Sequence, residues 1–179
     1  MTKVLITYSS GYGTTREVAE RIVEVFRERG GMLVTLKSID HVNSIDEFDA
    51  VIVGSSIRAD RPLANVRDFF ATNRQALANK DVAIFAVCLS ANCTDGRNKV
   101  KREYISQITE KYPELNPFSV EAFGGKIDFD QLNPIMQKLM MRVLEKTGVE
   151  DAGPVVDTRD WGFIDAWAHK VYDLLNGQH

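Results

Sequence analysis

The densest group of residues able to do chemistry is Ser9-Ser10-Gly11-Tyr12-Gly13-Thr14-Thr15, a run of hydroxyls and glycines directly after an apolar segment. Backbone N–H groups in such a loop can curl around a phosphate, and a following helix adds partial positive charge at its N-terminus. Ser10, Thr14 and Thr15 can donate further hydrogen bonds. The loop contains no lysine, so a dianionic phosphate would be held mainly by neutral donors. The plainer alternative is a tight strand-to-helix turn capped by Ser and Thr. A stretch so rich in Gly, Ser and Thr exceeds what such a turn needs. A Walker A loop requires Gly-Lys-Ser/Thr, which is missing, and a dinucleotide fingerprint requires a third Gly where Arg16 stands. A phosphoacceptor receiver domain needs acidic residues after strands one and three, and those places hold Ser9-Ser10 and Gly54-Ser55.

The elements that must position this loop alternate between strand and helix. Apolar runs predict strands over 3–8, 32–36, 50–53, 82–89 and 118–123. Helical spacing predicts helices over 15–29, 63–76 and 98–111. The strands are short and apolar without clean alternation, the mark of strands buried on both faces of a parallel sheet. The expected fold is α/β, a doubly wound five-stranded parallel sheet of order 2-1-3-4-5, in one domain spanning 1–179. Ligands of such sheets bind beyond the carboxyl ends of the strands, here the loops after strands one, three and four. The chain beyond strand five is too long for one closing helix. An extra helix is expected over 130–147, within an inserted segment of about 127–150, and a closing helix over 160–175 capped by Asp157 or Thr158. Trp161 and Trp167 fall on the apolar face of the closing helix and read as core.

Composition sets limits. Hydrophobic residues make up 44% and charged residues 26%, ordinary values for a soluble globular protein. No run reaches the length of a membrane span, and the first residues lack a signal peptide's features, so a cytoplasmic place is expected. The net charge of −3 gives no reason to expect nucleic acid, and it is milder than expected of a carrier that docks many partners electrostatically. Cys88 and Cys93 read as two free thiols, and His41, His169 and His179 offer no metal spacing.

With the loop and the strand order in place, the sequence resembles the flavodoxin family, whose phosphate loop has the form Ser-x-Thr-Gly-x-Thr. Ser10, Gly13 and Thr15 match it, and Tyr12 replaces the first Thr. The resemblance implies FMN, with its phosphate on the loop formed by Ser9, Ser10, Gly11, Tyr12, Gly13, Thr14 and Thr15. It places the isoalloxazine between two further loops, one holding Ser55, Ser56, Ile57 and Arg58, the other Leu89, Ser90, Ala91 and Asn92.

The likeness narrows to the menaquinone-dependent protoporphyrinogen IX dehydrogenases. Val53-Gly54-Ser55-Ser56-Ile57-Arg58, Thr15-Arg16-Glu17, Gly124-Gly125, the Met-rich inserted helix and the run Val155-Val156-Asp157-Thr158-Arg159-Asp160-Trp161 resemble that group in order along the chain. Ala59 departs from it, since an aromatic residue is usual there. This resemblance implies a flavin that takes hydride from a porphyrinogen-like substrate and passes electrons to a quinone. An FMN electron carrier without its own substrate, and a flavin-free binding module, are the alternatives. Arg58 near the flavin N1–C2=O edge would favour the anionic reduced flavin, and its simpler alternative is a solvated surface charge. The inserted helix carries Ile135, Met136, Leu139, Met140, Val143 and Leu144 on one face, beside Lys138 and Arg142. That face either packs on the domain or touches a membrane at its periphery, where a quinone would be met. Oligomeric state stays open, a homo-oligomer included.

Overall fold

A computed structural model describes residues 1–149 and 153–177. Strand β1 (Thr2–Ser9) lies between β2 (Met32–Ser38) and β3 (Ala50–Arg58), and a two-residue β4 (Arg61–Pro62) folds back on the end of β3. Beyond β3 come β5 (Asp81–Val87) and β6 (Ser119–Phe123). The long strands are parallel, in the order β2-β1-β3-β5-β6. With β4 set aside, this is the expected 2-1-3-4-5 order.

Both faces of the sheet are buried, which is why its strands are continuously apolar. On one face, Val4, Ile6, Ile52 and Phe85 meet helices α1 (Thr14–Arg29) and α6 (Trp161–Asn176) through Ile22, Phe26, Trp167 and Val171. On the other, Leu5, Val51, Val53 and Ile84 meet Val66, Phe70 and Leu77 of α2 (Ala64–Leu77). That face is completed by α3 (Thr94–Val100), a π turn (Lys101–Ile105) and α4 (Ser106–Thr109), through Val100, Ile105 and Ile108. Burying each of these large side chains contributes roughly 1.5–3 kcal/mol. Gly54 is required between the strands, because a Cβ there would overlap the ring of its β5 neighbour Phe85.

After β6 the chain builds a small lobe. Strands β7 (Lys126–Asp128) and β8 (Val155–Asp157) pair antiparallel, and α5 (Pro134–Thr147) packs beside them. Ile127, Leu132, Leu144 and Val156 form its own core, joined by Leu89, Phe129, Met136 and Met140. The helix begins at Pro134 rather than residue 130, because Asn133 caps it by accepting from the Met136 N–H at 2.9 Å, and Gly148 ends it at φ 70°.

Four further expectations are corrected. Strand β3 does not end at Gly54 but runs to Arg58, because Ile57 and Arg58 pair with Pro62 and Arg61 across a two-residue turn. Both turn residues, Ala59 and Asp60, have positive φ, as a tight hairpin requires. The third helical segment begins at Thr94 rather than residue 98, capped by the Cys93 sulfur. Asp160 caps α6, accepting from the Phe163 N–H at 2.9 Å, while Asp157 and Thr158 bond elsewhere. Trp167 is core and donates to Ser119 Oγ at 3.0 Å, but Trp161 is 39% exposed at the first turn of α6.

Candidate functional site

The carboxyl ends of β1, β3 and β5 converge, as a doubly wound sheet requires. Within the first loop, the Gly13 N–H donates to Ser10 Oγ at 2.9 Å, and Gly13 takes φ +89°, a left-handed conformation that favours glycine. A Cβ at Gly13 would face open space. Helix α1 starts at the next residue with no side-chain cap. Its first N–H groups therefore project from a bare helix N-terminus over that space, the arrangement that receives a phosphate.

The hydroxyls divide into two groups. Ser9, Thr15 and Ser55 are buried and hold the site together. Ser9 Oγ donates to Asn65 Oδ1 at 2.8 Å, and Asn65 in turn donates to Asp40 Oδ1 at 2.9 Å. Thr15 Oγ1 lies 2.6 Å from Ser56 Oγ, joining the start of α1 to β3. Ser55 Oγ donates to the Ser56 carbonyl and accepts from the Leu63 N–H at 3.1 Å. Ser10 and Thr14 are half-buried at the loop itself, and Thr14 Oγ1 donates to the Lys126 carbonyl at 3.3 Å. Gly11 and Tyr12 are exposed.

Because Ser55–Arg58 is strand rather than loop, its side chains alternate. Ile57 packs into the core beside Val66 and Phe70, while Ser56 and Arg58 face the first loop. The Arg58 guanidinium lies against Gly11, where any Cβ would overlap it, and stands 5.9 Å from the Tyr12 ring centre. Asp60 in the turn accepts from Tyr104 Oη at 2.8 Å, and its carbonyl accepts from Gln107 Nε2 at 2.9 Å.

The third segment is a 3-10 turn, Leu89–Ala91. Ala91 is buried in the main core, Leu89 packs on the small lobe, and Asn92 Nδ2 donates to the Thr147 carbonyl at 3.3 Å. Ser90 Oγ lies 3.0 Å from the sulfur of Cys88. Among the described residues, Ser90 is the polar residue of this segment whose side chain makes no long-range bond. The turn is braced from below, since a Cβ at Gly96 would overlap the Ser90 carbonyl.

Several residues at the site carry no local sequence signal. Asn65 and Lys126 reach the first loop only through tertiary folding. Arg159, whose side chain is 4% exposed, pairs with Glu17 at 2.5 Å and Asp157 at 2.6 Å, and so neutralises the one acidic group in the first turn of α1. Burial pushes the Asp157 carboxyl up, but the hydrogen bonds and charge of Arg159 outweigh this and leave it below the usual carboxylate range. Among the described residues, no group of three His, Cys, Asp or Glu could hold a metal ion, and both cysteines are free.

A doubly wound sheet of this order, with a bare helix N-terminus behind a Gly-Ser-Thr loop, defines a flavodoxin-like protein. Residues 5–152 match the Flavodoxin domain family, and the chain belongs to it. FMN is the cofactor that this membership assigns to the site, and the loop fits its phosphate. Solved structures agree on the fold. A flavodoxin from the domain Archaea is 21% identical, matched over 83% of this chain and 100% of its own, with a TM-score of 0.51. Oxidised Flavodoxin 1 from Bacillus cereus is 16% identical over 84% and 100%, with a TM-score of 0.52. Rubredoxin oxygen:oxidoreductase from Desulfovibrio gigas is 18% identical over 81% of this chain, which spans 34% of that longer one, with a TM-score of 0.52. No curated protein sequence matches the chain.

Proposed function

We propose that the protein is an FMN-dependent oxidoreductase that takes electrons from a porphyrinogen-like substrate and delivers them to a quinone. The observation that carries the flavin part is the Gly13 cradle at the uncapped start of α1. Ser10, Thr14 and the first N–H groups of α1 would hold the phosphate, and Ser56 and Ser90 would line the approach to the ring. Bound FMN supplies the hydride acceptor. The chain orients it, and the hydrogen-bonded pairs Ser9–Asn65 and Thr15–Ser56 keep the loops rigid around it.

The substrate rests on the ordered resemblance of the motifs from Thr15 to Trp161. The acceptor rests on α5, where Ile135 and Leu139 remain exposed one turn apart, with Lys138 and Arg142 at their border. An apolar stripe with cations at its border suits the surface of an anionic membrane, where a quinone would be met. Among the described residues no helix is long and apolar enough to cross one. Anaerobic mixing of the FMN-loaded protein with protoporphyrinogen IX should bleach the flavin absorbance, and a quinone should restore it. A flavin that stays oxidised would leave an electron carrier of flavodoxin type.

A further inference from the structure

We propose that Arg58 is the cation of the phosphate subsite, so that the chain distinguishes FMN from riboflavin through this guanidinium; the inference rests on the FMN reading above. The loop 9–15 contains no lysine or arginine. Folding supplies the missing charge from β3. Ser56 and Arg58 lie on the same face of that strand, two residues apart. Ser56 touches Thr15 at one end of the loop, and Arg58 covers Gly11 at the other. The strand therefore runs beside the phosphate loop, and its arginine points at the loop's glycine. A Cβ at Gly11 would meet Arg58 Nη2 and push the guanidinium aside.

Two further features fit a waiting anion. Among the described residues no carboxylate pairs with Arg58, as none pairs with Arg27, Arg61, Arg67, Arg74, Arg97 or Arg142, and Arg58 is the one that lies against Gly11 of the loop. The acidic residue in the first turn of α1, Glu17, is held by Arg159 instead and does not compete. The backbone at Arg58 is also held, because the turn that follows it is tied to the π turn by Tyr104 and to α4 by Gln107. A guanidinium fork forms two charge-assisted bonds to a phosphate, which neutral hydroxyls alone cannot replace.

The test is titration of the apo-protein with FMN and with riboflavin, read by quenching of flavin fluorescence, for wild type, Arg58→Ala and Arg58→Lys. Arg58→Ala should weaken FMN about 10- to 100-fold, the range for hydrogen bonds to a charged group. Riboflavin affinity should stay within about twofold. Arg58→Lys should recover part of the FMN loss, and the salt dependence of FMN binding should flatten in Arg58→Ala. An unchanged thermal melt keeps the variants comparable. Equal loss for both flavins would place Arg58 at the ring and overturn the inference, as would an unchanged FMN affinity. A wild type that binds neither flavin would overturn the FMN reading itself.

Discussion

Tyr104 Oη donates to Asp60 Oδ1 at 2.8 Å, bridging the π turn after α3 to the hairpin turn after β3. Burial, reinforced by this carboxylate, raises the phenol above its ordinary value. Tyr104→Phe keeps the packing and removes the bond. It should cost about 1 kcal/mol of stability, measured by urea unfolding, and should loosen the Arg58 hairpin enough to weaken FMN. Unchanged affinity would show that the hairpin holds its shape without Tyr104.

Gly13 and Gly11 should fail for different reasons. Gly13→Val has no neighbour to strike but must adopt φ +89°. It should lose about 1–2 kcal/mol from backbone strain and strip the flavin by filling the open space before α1. Gly11→Ala should fold normally yet displace Arg58, so it should resemble Arg58→Ala in flavin titrations. If both glycine variants retain FMN as tightly as wild type, the phosphate lies elsewhere.

The two sides of α5 should separate packing from docking. Leu144 is buried in the small lobe, and Leu144→Ala should cost about 2–3 kcal/mol. Ile135 is 80% exposed and Leu139 49%. Replacing both with Glu should leave the melt and FMN binding intact while reducing sedimentation with anionic vesicles and reduction of membrane quinone. Full activity with membrane quinone would remove α5 from the docking role.

Thr7 is fully buried within β1, and among the described residues its hydroxyl has no hydrogen-bond partner. Valine has the same shape without the desolvated oxygen. Thr7→Val should raise stability by about 1 kcal/mol, read as a higher unfolding midpoint. A lower midpoint would mean that the hydroxyl is satisfied in solution.

Arg21 grips Asp165 through both carboxylate oxygens, at 2.7 and 2.8 Å, and ties α1 to α6. That hydrogen bonding lowers the Asp165 carboxyl from its ordinary 3.8. Because the folded value lies below the unfolded one, the pair's contribution is complete above about pH 4 and is lost as pH falls through the folded value. Wild type should lose stability below pH 4 more steeply than Asp165→Asn. Parallel acid limbs would assign that loss to other carboxylates.

Much of the fold could be read along the chain because strand and helix periods are local. The runs at Val4-Leu5-Ile6 and Ala50-Val51-Ile52-Val53 have only one use in a doubly covered sheet. What escaped was set by distant partners. Ser55-Ser56-Ile57-Arg58 looks like loop until Pro62 and Arg61 pair with its end, and only then does alternation separate Ile57 from Arg58. Trp161 has the spacing of a core residue but sits at the first helical position, where its ring lies over the buried Arg159 guanidinium, 4.5 Å from the ring centre. The inserted face was legible as apolar, but its division into buried Leu144, partly buried Met136 and Met140, and exposed Ile135 and Leu139 depends on β7 and β8.

The pairing of Lys126 with Asp157 closes a neck. The chain leaves the main body and returns to it at one point, so the small lobe is an excursion that can open without breaking a single rung of the central ladder. Native-state hydrogen exchange would then divide the molecule into two cooperative units of unequal stability. Evolution could lengthen, shorten or replace the excursion while the central ladder kept its pairing, provided the bonds from Asn92 to Thr147 and from Thr14 to Lys126 were replaced.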